Sequence, residues 1–159
     1  MATFTISLQK TLAHEGGYVH DIDDTGGETY KGISRANHTN WSGWTIIDKH
    51  KDKQDFPVRL DNDLELQKQI RQFYHANFWM SLKAGSIENQ SIADSVFDFA
   101  VNTGINASIR IVQSITGAKI DGIVGQKTLK VLNAVEPDYF LMVFTLTKIK
   151  YYISIIKKR

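Results

Sequence analysis

The sequence predicts a mainly α-helical chain with one small β-like excursion over residues 18–33. Three observations carry that expectation. Apolar residues recur at helical spacing from the first residues onward, beginning with Phe4, Leu8 and Leu12 at i, i+4, i+8. Residues that start and stop helices (Asn89, Gly104, Gly117, Pro137) fall between the periodic segments. The stretch from Tyr18 to Ile33 alone is acidic and glycine-rich, with too few apolar residues for a core strand.

Taken in order, the first helix is expected to stop at Gly16-Gly17, since glycine adopts the left-handed conformation of a helix C-cap at little cost. The next twelve residues hold four acidic side chains and two more glycines, and they read as a tight polar loop or hairpin. Ser34 is placed to cap a short helix through about Asn40, followed by the connector Trp41-Ser42-Gly43-Trp44. Asp48 to Asp55 alternates charge signs and reads as a solvated loop or helix face. Asp61 or Asp63 then caps a helix with Leu66, Ile70, Phe73 and Tyr74 on one face, which runs into the aromatic cluster Tyr74, Phe78, Trp79.

Asn89 or Ser91 opens the next helix, with Ile92, Val96, Phe97, Ala100 and Val101 at core spacing, and Gly104 closes it. Asn106 is expected to cap a helix carrying Ile109, Val112 and Gln113 that ends at Gly117. Asp121-Gly122-Ile123-Val124-Gly125 reads as a turn before a helix with Thr128, Leu129 and Leu132. Pro137 suits the first residue of a final helix through about Ile156. That helix is apolar over most of its circumference, and packing as a buried core helix is the simpler expectation than binding at a membrane surface.

A chain of 159 residues is long enough for one domain with a working core. Its 42% hydrophobic and 23% charged residues are ordinary for a globular protein. A net charge of +2 is too mild to argue for nucleic acid. Cysteine is absent, which excludes disulfides, thiolate metal sites and a cysteine nucleophile. No basic segment followed by an apolar run opens the chain, so no secretory signal is expected, and no uninterrupted apolar run of spanning length occurs. No cofactor is implied.

The candidate chemistry centres on Glu15. At a helix end the macrodipole disfavours a negative charge, and partial burial would add to that, so both effects would raise its carboxyl pKa. A group that holds its proton near neutrality is what a general acid requires. Asp24 follows nine positions later, with Asp23 beside it and Thr29 five beyond. Glycosidic cleavage needs this inventory: one carboxylic acid to protonate the leaving oxygen, and a second carboxylate to steer water or stabilise the cation. Thr29 could help hold the water. By spacing alone, a polar surface loop is the commoner explanation of the same residues.

The run His14-Glu15-Gly16-Gly17-Tyr18-Val19, then Asp21-x-Asp23-Asp24-x-Gly26-Gly27-x-Thr29-x-x-Gly32-Ile33-Ser34, resembles the opening motif of glycoside hydrolase family 108, phage-endolysin-like N-acetylmuramidases, some described as secretion activators. Phe97-Asp98-Phe99-Ala100-Val101-Asn102-x-Gly104, Gln113, Gly117, Asp121-Gly122-x-x-Gly125-x-x-Thr128 and Tyr151-Tyr152 are similar to the peptidoglycan-binding-like segment that follows it in such proteins. The resemblance implies a lysozyme-like, two-lobed helical fold in one domain, 1–159, with a catalytic-motif half (1–84) and a peptidoglycan-binding-like helical half (85–159). It implies hydrolysis of the β-1,4 bond between N-acetylmuramic acid and N-acetylglucosamine. Glu15 then matches the family's catalytic glutamate, while Asp24 and Thr29 resemble the loop positions of the Glu-Asp-Thr arrangement of phage lysozymes. The interval from Asp24 to Thr29 is one residue shorter than in those lysozymes, and Ile22 stands where the family often has Pro. The implied partner is the peptidoglycan glycan strand, with no nucleic acid and no stable membrane insertion. The implied location is synthesis in the bacterial cytoplasm and action on the wall after release.

Tyr18, Tyr30 and Trp79 are candidates for stacking on sugar rings, although a core aromatic is the commoner outcome for any one of them. Asp98 and Asn102, at i, i+4 on one helix, are further substrate-binding candidates; Asn102 is equally placed to cap the helix end. His14 adjoins Glu15 but sits at an adjacent helix position that points elsewhere. A zinc-protease reading of His14-Glu15 fails, because position 18 is Tyr rather than a second His. Asp21-x-Asp23-x-x-Gly26 is a poor calcium loop, because its twelfth position is Gly32, not Glu. Two rival functions remain: a non-catalytic wall-binding or secretion accessory, and a basic membrane effector acting through the last helix.

Overall fold

The computed structural model describes residues 1–13, 15–20 and 27–157. The described residues include seven α-helices and one three-stranded antiparallel sheet. They are α1 (Phe4–Leu12), β1 (Tyr18–His20), β2 (Glu28–Tyr30), β3 (Ile33–Ser34), α2 (Gly43–His50), α3 (Leu64–Tyr74), α4 (Gln90–Thr103), α5 (Ile105–Thr116), α6 (Gln126–Ala134) and α7 (Pro137–Ile156). This is the mainly helical, lysozyme-like architecture with a small β excursion that the sequence predicts. The chain forms two compact units, Gln9–Tyr74 and Met1–Leu8 with His75–Arg159.

In Gln9–Tyr74 the sheet runs in the order β1-β2-β3, with Tyr18 opposite Tyr30, Val19 opposite Thr29, and Tyr30 opposite Ile33. Lys31 and Gly32 join β2 to β3, both at positive φ (48° and 78°), as a two-residue hairpin turn of the primed kind requires. Tyr30, Ile33, Trp44, Ile47, Leu60, Leu66, Ile70 and Tyr74 are buried and form this unit's core. Asp63 caps α3 as expected, its Oδ1 accepting from the Leu66 N–H at 2.9 Å.

Three local expectations change here. Helix α1 stops at Leu12, before the glycine pair, and neither Gly16 nor Gly17 takes positive φ. Ser34 caps no helix: it lies in β3, and the next residue's N–H (Arg35) donates to the Glu28 carbonyl at 2.8 Å, which prolongs the ladder. The end of the connector and the start of the charged run fold together into α2, anchored by Trp44 and Ile47 at i, i+3, while residues 51–55 follow as turns. Trp44 Nε1 donates to the His38 carbonyl at 2.8 Å.

In the other unit α4 packs on α5 and α7, and α5 on α6. The Phe4 ring meets His75, Trp79 and Phe97. Ser7, Gln90 and Asp94 form a polar knot between α1 and α4, with Ser7 Oγ donating to Asp94 Oδ1 at 2.6 Å and Gln90 Nε2 to the same oxygen at 2.7 Å. Asn89 caps α4. Gly104, at φ 92°, ends α4 and starts α5 at once, which leaves Asn106 inside α5 rather than at its cap. The Asn106 amide oxygen accepts from Arg110 Nε instead.

Gln113 is fully buried. Its Nε2 donates to Asp121 Oδ1 at 2.8 Å and the Ile123 carbonyl at 3.0 Å, and its Oε1 accepts from the Gly122 N–H at 2.9 Å. One side-chain amide thus shapes the Asp121–Gly125 turn. Helix α7 departs furthest from expectation, because only Phe140 and Phe144 along it are buried. Replacing Gln113 by Ala should cost about 2 kcal/mol or more, since it strands buried polar groups of the turn. Urea denaturation, with an unchanged slope and a lower midpoint, would report it.

Candidate functional site

The chain after α1 brings Glu15 back onto the β2–β3 turn. Glu15 lies three residues beyond the last residue of α1, half-buried, and its N–H donates to the Leu12 carbonyl at 3.3 Å. A Cβ built on Gly32 would stand 2.7 Å from Glu15 Oε2 and 2.7 Å from the Tyr74 hydroxyl. A carboxylate and a phenol oxygen therefore converge on a backbone position where an added side chain would have to displace one of them. The Tyr74 hydroxyl donates to the Lys31 carbonyl at 2.6 Å, and the ring is 1% exposed. Burial first, then the nearby charge of Glu15, pushes the Tyr74 phenol up, so it stays a neutral donor.

A second carboxylate, Glu28 of β2, sits in a wholly different environment. Its side chain is buried and ion-paired to Arg35 and Lys51. The Tyr18 hydroxyl donates to Glu28 Oε1 at 2.5 Å. Burial by itself would raise the Glu28 carboxyl, but hydrogen bonds from Lys51, Tyr18 and Arg35 outweigh it and hold the pKa at about 2. Asp48 completes the cluster, bridging both cations at 2.6–2.8 Å (Arg35 Nη1 and Nη2, Lys51 Nζ). A carboxylate so firmly ionised has no proton to give a leaving group. The charged run read as solvated thus supplies Asp48 and Lys51 to a partly buried cluster.

The expected site residues fall in several settings. Tyr18 is half-exposed, with its ring edge-on to Phe56 at 4.7 Å. Thr29 is half-exposed in the middle of β2, on the face opposite Glu28 and Tyr30. Tyr30 is 1% exposed, and its hydroxyl donates to Asp61 Oδ1 at 3.1 Å and accepts from Gln67 at 3.2 Å. A ring so enclosed presents no face to a sugar, so Tyr30 is a core residue here. Trp79 is likewise buried.

Asp98 and Asn102 lie in the other unit, one turn apart on α4. Asn102 is exposed, and its Nδ2 donates to the Asp98 carbonyl at 2.8 Å. Asp24 and His14, with Asp21, Asp23 and Gly26 of the weak calcium pattern, lie outside the described residues. Among the described residues no three His, Cys, Asp or Glu side chains gather as metal ligands. Reasoning from the sequence did not single out Glu28, Gly32 or Tyr74. Gly32 and Glu28 stand inside the opening motif; Tyr74 carried only a core signal.

Two family models match the chain. Glycosyl hydrolase 108 matches residues 8–104, and a Predicted Peptidoglycan domain matches residues 107–159. Among solved structures, "Structure of Brucella abortus SagA" is similar at a TM-score of 0.65 and 19% identity, covering 94% of this chain and 79% of that one. No curated protein matches this chain.

The Glu28 cluster predicts a pH signature in stability. The folded pKa lies below the ordinary 4.5, so its contribution is complete above that value and lost as pH falls towards 2. Glu28→Gln should lower the melting temperature at neutral pH and flatten its decline between about pH 5 and about pH 2.5. Parallel thermal melts of both proteins across that range would check this.

Proposed function

Because the chain belongs to glycosyl hydrolase family 108, we propose that it hydrolyses the β-1,4 bond between N-acetylmuramic acid and N-acetylglucosamine in bacterial peptidoglycan, with Glu15 as the general acid. The observation that carries this reading is the convergence of the Glu15 carboxylate and the Tyr74 hydroxyl on Gly32, inside the matched segment. The carboxylate lies against a turn and near the hydroxyl of a buried ring, a setting suited to positioning a proton donor. In the proposed reaction Glu15 delivers its proton to the bridging oxygen as the bond to the anomeric carbon breaks. Asp24 steers the water or steadies the oxocarbenium-like centre, and Thr29 holds that water. The water's oxygen bonds to the anomeric carbon and its proton passes to a carboxylate.

Tyr18, half-exposed on the same hairpin, is the aromatic residue assigned to contact sugar. The ion cluster around Glu28 holds the hairpin in shape. The C-terminal half, with its Gln113-held turn, grips the wall polymer, and the protein acts at the wall after leaving the cytoplasm. A second reading rests on the peptidoglycan domain at residues 107–159: a wall-binding accessory without turnover.

Glu15→Gln separates the two readings. It should reduce release of reducing ends from purified sacculi by about 10²-fold or more, with little change in melting temperature. Full activity in that variant would end the proposal, and sedimentation with sacculi without turnover by the native chain would favour the accessory. Mass spectrometry of the digest names the bond cut. Gly32→Ala should cut turnover by up to about 10²-fold by displacing the carboxylate. It should also cost about 1–2 kcal/mol of stability for a side chain at φ 78°. Initial rates and thermal melts on the same preparation would measure both.

A further inference from the structure

Helix α7 carries an apolar surface that is left exposed among the described residues. Phe140 and Phe144 are buried, and Tyr151 meets Phe99 on the same side. The opposite side presents Tyr139, Met142, Leu146, Ile149, Ile153 and Ile156, all exposed, from 47% at Ile153 to 72% at Ile156. Their spacing of three and four residues stacks them into one continuous stripe along five turns. An uncovered stripe of this length on a folded chain marks an interaction surface.

Charge identifies the occupant. After Asp138 the helix holds no acidic residue, whereas Lys150 follows in its second half and Lys157 at its C-cap; Lys148 lies over the Phe144 ring on the packed side. Lys150 and Lys157, seven residues apart, line one edge of the stripe. We propose that this side of α7 lies on the surface of an anionic lipid bilayer, with its apolar stripe at the level of the acyl chains and its lysines among the headgroups. The helix is long and apolar enough to cross a bilayer by length and composition. Crossing would, however, strip Phe140 and Phe144 from the core and carry Lys148 and Lys150 into hydrocarbon. A second copy of the helix in parallel would set Lys150 and Lys157 against their own counterparts with no carboxylate between them. The flat, acidic surface of a membrane answers both the stripe and its charge.

Co-sedimentation of the full chain with vesicles tests this without reference to catalysis. Vesicles of phosphatidylcholine with phosphatidylglycerol should bring the protein down, and phosphatidylcholine alone should bring down much less. Because Leu146 and Ile149 are exposed, Leu146→Glu/Ile149→Glu should keep the native melting temperature yet bind the anionic vesicles at least about tenfold more weakly. Lys150→Glu/Lys157→Glu should lose the preference for anionic lipid. No binding by the native chain, equal binding to both vesicle types, or undiminished binding by the Glu pair overturns the proposal. So does a dimer in solution that the Glu pair converts to monomer, since the stripe would then be covered by a second copy.

Discussion

The bare Cα of Gly32 is the constraint on which the candidate site depends. A carboxylate from the end of one helix and a hydroxyl from the end of another both approach that atom, at a place where an added methyl would stand 2.7 Å from each. The turn has to take positive φ twice in succession to aim the Lys31 carbonyl at the Tyr74 hydroxyl. Lys31 tolerates this at some cost, and its ammonium is tied to Asp61 at 3.1 Å. Glycine at position 32 serves two ends at once: the conformation of the hairpin and the room for the carboxylate.

Two carboxylates of this unit, Glu15 and Glu28, sit in contrasting environments. Glu28 is surrounded by two cations and a phenol, so its charge is held and its work is structural. Glu15 sits beside a neutral phenol that already spends its proton on a backbone carbonyl. Ion clusters of this kind contribute modestly where they are exposed. Around the buried Glu28 oxygens the matter differs, because removing one partner would leave a desolvated charge. The cluster joins β2, α2 and the start of the turn after β3, the parts that carry the hairpin.

The second unit is held by buried amides and carboxylates placed at junctions. Gln113 organises a turn, the Ser7–Gln90–Asp94 knot ties α1 to α4, and Ser108 donates to the Val96 carbonyl at 2.8 Å where α5 meets α4. Each polar group is paired, so its burial specifies geometry rather than weakening the core. Helix α7 contrasts with these, since its apolar residues exceed what the core can take up.

Local chemistry was readable from the sequence wherever a signal acts within a few residues. The caps at Asp63 and Asn89, the stops at Gly104 and Gly117, and Pro137 at the head of α7 all act within one turn, and the hairpin at 18–33 announced itself by composition. Helix α2 escaped because two buried residues, Trp44 and Ile47, leave a faint period beneath a run of charges. Glu15 stood out by residue type and position, but that Tyr74 and Gly32 would meet it was decided by packing between distant segments, for which no local pattern exists. The same holds for Lys51 on Glu28. For α7, periodicity told that the helix is apolar nearly all round; which side the core would cover depended on how it packs against α4 and α5, and only the folded chain sets that packing.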